Sequence, residues 1–326
     1  MRVLLTGASG FVGSHVLDSL RRRDLPVVLL LRASSPRRFI ASHLASVEVR
    51  AGSILQPESL DAALQGVTHV VHCAGCTRAL HPAEFHEVNQ NGTRHLVEAV
   101  NRQGGVQRFV LVSSLAAVGP AGPEAAARET DPPRPVSAYG RSKLGAEQEV
   151  RERCRAEFVI LRPPAVYGPR DAEFLRLFRA VRAHVRPAGA GGRQPLSLVF
   201  VRDLAEVVAA SLTRPEAGGK TYFVASSEIV TAGGMAGEVA AQLGTWTLPL
   251  PVPAPALWGL CAWGQAISWA TRRPSVLGLA KYPELTARGW VCDARRLREE
   301  LGLVCTTGLK DGVAETLAWY RKEGWL

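Results

Sequence analysis

The sequence predicts an α/β fold, a doubly wound parallel sheet with a smaller discontinuous C-terminal domain. Three observations predict it. Short apolar runs alternate with amphipathic helical patterns through residue 162. Three glycines, Gly7, Gly10 and Gly13, stand between the first apolar run and the first helical pattern. After residue 162 prolines and glycines break the alternation, which returns over about 198–226. The expected division is therefore 1–162 plus about 198–226 for the sheet domain, and about 163–197 plus 227–326 for the smaller one.

Residues 3–5 read as a buried strand. Phe11, Val12, Val16, Leu17 and Leu20 then recur at helical spacing as far as Arg23. A strand, a glycine turn and a helix N-terminus together aim backbone N–H groups at a phosphate. Glycine permits the close approach where a Cβ would collide. Gly7, Ser9, Gly10, Phe11, Val12 and Gly13 are accordingly assigned to the pyrophosphate of a dinucleotide. Further strands are expected at 26–31, 46–50, 68–73, 107–113 and 157–161, with helices at 57–64, 84–101 and 138–155. In such sheets ligands bind beyond the carboxyl ends of the strands. That rule lines up the glycines, Arg32, Ser53, His72 to Gly75 and Ser113-Ser114 on one edge. Residues 199–212 read as strand plus helix and 221–225 as a strand, both expected to rejoin the sheet. Residues 188–195 read as a glycine-rich loop.

The stretch 248–270 is unusual. Pro249, Pro251, Pro253 and Pro255 lead into 256–270, which carries Trp258, Trp263 and Trp269 and no charge. It falls short of the roughly 20 residues a spanning helix needs. The expectation is a wall over an apolar substrate pocket, lined by Trp258. Weak contact with a membrane surface through 248–270 is the further expectation.

The net charge is +10, but 34 of the 39 basic residues are Arg scattered along the chain. The densest run, Arg21 to Arg23, is short and suits a solvated helix face, so no nucleic-acid partner is expected. The six cysteines are spread out, as in a reduced, cytoplasmic protein. Met1 leads directly into the first strand, and no targeting segment is expected. Cys73-Ala-Gly-Cys76 has His69, His72 and His81 nearby, but no second ligand pair at zinc spacing, so no metal is expected.

Tyr139 and Lys143 are four residues apart and would share one helix face. A cation near a phenol favours the phenolate and lowers its ordinary pKa of about 10, making a proton donor or acceptor near neutral pH. Ser114, at the end of the fifth strand, can hydrogen-bond a substrate oxygen and hold it against Tyr139.

Together these segments resemble an extended short-chain dehydrogenase/reductase of the NAD(P)-dependent epimerase/dehydratase family. Thr6 to Gly13 is similar to the T-G-x-x-G-x-x-G cofactor motif. The segments at 71–75, 89–93, 112–119, 161–169 and 201–205 are similar to family motifs in the same order. The resemblance implies a Rossmann fold and an oxidoreductase. It makes Tyr139 the general acid or base, Lys143 the ligand of the nicotinamide ribose that lowers the Tyr139 pKa, and Ser114 the group that polarises the carbonyl. Asn89 becomes a polar support near the cofactor. Cys73, Ala74 and Gly75 run beside the cofactor, and the backbone after Pro163 touches its nicotinamide. Thr77, Ser114, Ala165, Val166 and Tyr167 would contact substrate. Helices 84–101 and 138–155 would form a homodimer interface.

Relatives that prefer NAD usually carry Asp or Glu at the end of the second strand. Here Arg32 stands there with Arg37 nearby, which suits a 2′-phosphate and favours NADP over NAD. Ser53-Ile54 replaces the usual Asp-(Ile/Leu) at adenine. Ala165 stands where nucleotide-sugar enzymes commonly have Asn. The apolar 248–270 stretch and the Trp-Tyr tail look like the branch of dihydroflavonol reductases and 3β-hydroxysteroid dehydrogenases. A hydrophobic ketone or alcohol, steroid-, flavonoid- or polyketide-like, is the expected substrate. The alternatives are a nucleotide-sugar 4-epimerase or dehydratase, and a non-catalytic NADP-binding regulator.

Overall fold

A computed structural model describes residues 1–189, 192–272, 274 and 278–326, with only the backbone described at 187–189 and 251. The first half runs β1 (Val3–Thr6), α1 (Phe11–Arg22), β2 (Val27–Leu31), β3 (Glu48–Ala51), α2 (Leu60–Ala63), β4 (His69–His72), α3 (Pro82–Phe85), a π-helical turn (His86–Asn91), α4 (Gly92–Gln103), β5 (Arg108–Val112), α5 (Ala138–Arg153) and β6 (Glu157–Arg162). The second half runs β7 (Ala165–Tyr167), α6 (Phe174–Arg182), β8 (Val185–Gly189), β9 (Pro195–Phe200), α7 (Val201–Ala210), β10 (Lys220–Phe223), β11 (Ile229–Thr231), α8 (Ala232–Leu243), β12 (Leu248–Val252), α9 (Ala254–Thr271), α10 (Tyr282–Leu285), α11 (Arg295–Leu301) and α12 (Leu309–Lys322).

Seven parallel strands form the central sheet in the order β10-β6-β5-β4-β1-β2-β3. Side chains alternate across it with period two. Leu5, Leu29, Val110 and Val159 face the core under α1 and α7, while Leu4, Val28, Phe109 and Ile160 face the core under α4 and α5. Both faces are covered, so the inner strands are apolar at their centres, with polar residues only at their ends, and those runs make them readable. β3 is the exception: it lies at the edge and is mostly exposed.

Two expectations are corrected. The strand near 199 does not rejoin the sheet, because β10 occupies the edge beside β6, with Lys220 opposite Val159. β9 pairs instead with β7 and β11 in a separate three-stranded sheet. The expected loop at 188–195 begins as strand β8, paired with β12, and ends in β9; its residues 190 and 191 lie outside the described residues. A third core, around Tyr167, Phe178, Phe200, Val239, Leu317 and Tyr320, joins β7 and β9 to α6, α8 and α12.

Candidate active site

The strand order reverses direction between β1 and β4, and a crevice opens at such a point in a doubly wound sheet. Gly7 sits there at φ +75°, and a Cβ on it would come 2.6 Å from the Ala74 backbone nitrogen. A Cβ on Gly13 would drive into the Gly7 carbonyl. Only glycine at both positions lets the turn close so tightly against β4. Gly10 is the N-cap of α1 and contributes no side-chain cap, and the first helical turn carries no acidic residue. Gly10 is exposed, with Ser9, Phe11 and Val12 half-buried around it. Behind the turn, Thr6 Oγ1 lies 2.7 Å from His72 Nδ1, and the Ala74 N–H donates to Thr6 Oγ1 at 3.2 Å. Burial pushes His72 down to about 3, so its ring is neutral and serves as a spacer in the core.

The next strand ends bring the remaining predicted residues into line. Pro163, Ser114, Cys73, Gly7, Arg32 and Ser53 follow the carboxyl ends of β6, β5, β4, β1, β2 and β3 in that spatial order. Adjacent strands are about 4.8 Å apart, so Pro163 and Arg32 stand about 19 Å apart along this edge. Arg32 and Arg37 are exposed, and neither has an ion-pair partner among the described residues. Arg38 is occupied elsewhere, bonded to Glu323 and lying over the Trp325 ring.

Tyr139 lies in the first turn of α5, which Ser137 caps by accepting from the Gly140 N–H at 3.0 Å. Phe85 meets its ring edge-on with centroids 6.0 Å apart. Ser114 caps a short 3-10 turn, its Oγ accepting from the Ala116 N–H at 3.1 Å, and it also hydrogen-bonds the Tyr139 phenol. Ser114 and Tyr139 are thus brought together.

The expected effect of Lys143 on the phenol is corrected. Desolvation pushes Tyr139 up to about 12; the bond to Ser114 opposes this, and the Glu284 carboxylate reinforces it. Lys143 does not enter that balance. Its side chain leaves the helix toward β5, where the Val112 carbonyl accepts from Nζ at 2.7 Å. Burial pushes Lys143 down to about 8, against the electrostatic pull of the Glu147 carboxylate. Spacing of four residues puts two side chains on one face but leaves their direction open.

Four other expectations change. The Asn89 amide is spent on the protein: Oδ1 accepts from the Cys76 N–H at 2.8 Å, and Nδ2 donates to the Cys76 carbonyl and to Ser142 Oγ. Asn89 therefore positions the loop after β4 against α5, and no reacting role is left to it. The Ile54 side chain is buried against Gly92 in the core rather than facing a cofactor. Tyr167 is 2% exposed, packed between Phe174 and Phe200, with its hydroxyl near the Gly308 carbonyl. It belongs to the third core and is closed to substrate. Trp258 is 53% exposed on α9, open to the surface where a pocket wall was expected. Ala165 and Thr77 are exposed and Val166 is half-buried. Ser53 Oγ accepts from the Leu55 N–H and closes its own turn.

Burial pushes the Cys73 and Cys76 thiols up to about 12 and about 11, so both are protonated at neutral pH. Among the described residues no group of three metal-binding side chains occurs.

Lys281 was not legible in the sequence. Its Nζ lies 5.7 Å from the centroid of the Tyr139 ring and pairs with Glu284 at 2.6 Å. Trp290 fixes that turn by donating from Nε1 to the Glu284 carbonyl at 3.0 Å. No motif surrounds Lys281, so only the folded chain reveals it.

Below the site, Glu147 is fully buried. It accepts from Arg162 Nε and Nη2 at 2.9 and 2.6 Å, and from Ser113 Oγ at 2.6 Å. This network ties α5 to the ends of β5 and β6 and so fixes Tyr139 relative to Ser114.

The edge fits a dinucleotide. A glycine turn offers a helix N-terminus with no side-chain cap, arginines without an ion-pair partner among the described residues follow β2, and a buried ammonium stands at the end of β5 on the Val112 carbonyl.

Residues 3–225 match the NAD dependent epimerase/dehydratase family. The ceramide reductase of Caulobacter vibrioides (strain NA1000 / CB15N) is 32% identical over 99% of this chain and 96% of that protein. The UDP-glucose 4-epimerase of Vibrio cholerae is 30% identical over 77% of this chain and 79% of that protein. The crystal structure of gox2253 superposes with a TM-score of 0.82 at 26% identity, covering 99% of this chain and 98% of that one.

Proposed function

The chain belongs to the NAD dependent epimerase/dehydratase family and is an oxidoreductase of the extended short-chain dehydrogenase/reductase type; from that premise we propose that it reduces the ketone of a long, hydrophobic substrate, with Tyr139 as proton donor. The observation that carries this reading is the protonated Tyr139 phenol, hydrogen-bonded to Ser114 and held at about 12. A phenol that keeps its proton at neutral pH is ready to give it up once a carbonyl oxygen gains charge.

A nicotinamide held at this edge would supply the hydride. The remaining work falls to the protein. Ser114 donates a hydrogen bond to the substrate carbonyl and holds it against Tyr139. As the carbon takes the hydride, the oxygen takes the phenolic proton, leaving an alcohol and a phenolate. Lys143, an ammonium below about 8, would hold the ribose. The glycine turn and the α1 N-terminus hold the pyrophosphate. Arg32 and Arg37 take a 2′-phosphate, so NADP(H) is the proposed form.

The hydrophobic substrate class is supported by the exposed methyl of Ala165 at the start of β7 and by the likeness to a ceramide reductase over nearly the full length. The second reading, a nucleotide-sugar epimerase, is favoured by the likeness to UDP-glucose 4-epimerase. Incubation with NADPH and either a long-chain amide-bearing ketone or UDP-glucose separates the two. The proposal predicts net NADPH consumption with the ketone alone. Conversion of UDP-glucose to UDP-galactose without ketone turnover overturns it. The proposed assembly is a homodimer through α4 and α5, which light scattering reads directly.

A further inference from the structure

We propose that α9 is a docking helix that lies in the surface of an anionic bilayer. Its 18 residues carry no charge. Leu257, Cys261 and Ser268, which share one side at helical spacing, are its buried residues. The rest of the circumference is apolar and exposed: Trp258 (53%), Leu260 (48%), Trp263 (68%), Ile267 (44%) and Trp269 (61%). The preceding strand adds Leu248 and Leu250, also exposed. A contiguous apolar face of this kind is rare on a free protein surface. Indole rings favour the boundary between headgroups and acyl chains. No described helix is long and apolar enough to cross a membrane, so the geometry is that of a helix lying in the interface.

Charge identifies the occupant. No Asp or Glu occurs between Glu238 and Glu284, and none between Glu173 and Asp203. The β8–β12 pairing brings these two acid-free stretches together, with Arg186 opposite Pro249. Arg182 ends α6 just before β8, Arg272 directly follows α9, and both are exposed. The apolar face is therefore edged by cations with no neighbouring carboxylate from either stretch, which complements anionic lipid headgroups. A second copy of the same face would place these arginines against each other. The inner side of α9 packs on Leu279–Lys281, whose Lys281 overlies Tyr139. For the reaction proposed above, docking would bring a membrane-dissolved ketone beside the phenol. The docking itself is read without turnover, so it stands or falls separately from that reaction.

The test is sedimentation of the full chain with vesicles of phosphatidylcholine and phosphatidylglycerol, against phosphatidylcholine alone, with light scattering of the free protein in parallel. The expected result is binding to the anionic vesicles, a blue shift of tryptophan emission, and release by salt. Trp263→Asp, at a solvent-exposed position, should cut partitioning roughly tenfold with an unchanged melting curve. If that variant misfolds, Arg182→Glu serves instead and should weaken binding roughly fivefold or more. Absence of wild-type binding to anionic vesicles overturns the proposal. So does undiminished binding by a folded variant, or a wild-type oligomer that Trp263→Asp dissociates while no vesicle binding is seen.

Discussion

Replacing Tyr139 by Phe removes one hydroxyl and keeps the ring. The ring's neighbours, Phe85 at 6.0 Å and the Lys281 ammonium at 5.7 Å, are contacts Phe retains. The loss is then confined to the bond with Ser114 and to the acidic proton. The bond is worth about 1 kcal/mol of stability. The proton matters more. With the phenol near 12, only about one molecule in 10⁵ is ionised at pH 7, so almost every enzyme molecule carries the proton that the Phe variant lacks. Positioned proton transfer is worth about 10²–10⁴ in rate, or about 2.7–5.5 kcal/mol of barrier. The assay is steady-state NADPH consumption beside calorimetric NADPH binding and a thermal melt. Turnover should fall within that range while NADPH affinity stays within about twofold. A fall of less than tenfold, or an equal loss of NADPH affinity, would refute the reasoning.

Lys143 should set the alkaline limb of the pH profile. It is cationic below about 8 and neutral above, so kcat/KM should be level on the acid side and fall as pH rises through about 8; a limb appearing only near 12 would give that role to Tyr139 instead. Glu147→Leu leaves the buried Arg162 guanidinium without its partner and should cost about 3–5 kcal/mol in a denaturant melt. A loss under 1 kcal/mol would show that the network under α5 is dispensable. Arg32→Asp should raise KM for NADPH by about ten- to a hundredfold, the worth of one charge-assisted bond, while improving use of NADH. Equal effects on both cofactors would remove Arg32 from the 2′-phosphate site.

Much of this architecture was legible because the sheet is covered on both faces. That forces apolar runs such as Val27–Leu31 and 109–112, and the strand ends then mark one edge. The pairing of β9 was not legible. Its apolar run reads like any sheet strand, and which strand takes the edge beside β6 is decided by β10. In the site, the glycine turn follows from local spacing, and the Ser114–Tyr139 pair from the strand end and the family resemblance. The direction of the Lys143 side chain does not, since the Val112 carbonyl that captures it comes from another element. Ile54 and Tyr167 stand inside motif segments yet point into cores, because their neighbours Gly92 and Gly312 leave room for them there. Lys281 reaches Tyr139 from a segment remote in sequence, with nothing local to announce it.

The central claim is a net hydride transfer to substrate with Tyr139 giving the proton. NADPH deuterated at the transferring position of the nicotinamide, incubated with a long-chain ketone, tests it most directly by mass spectrometry of the product. The account predicts one deuterium on the new carbinol carbon and one oxidised cofactor per product. Deuterium absent from product, with UDP-glucose epimerised and no cofactor consumed, would contradict it.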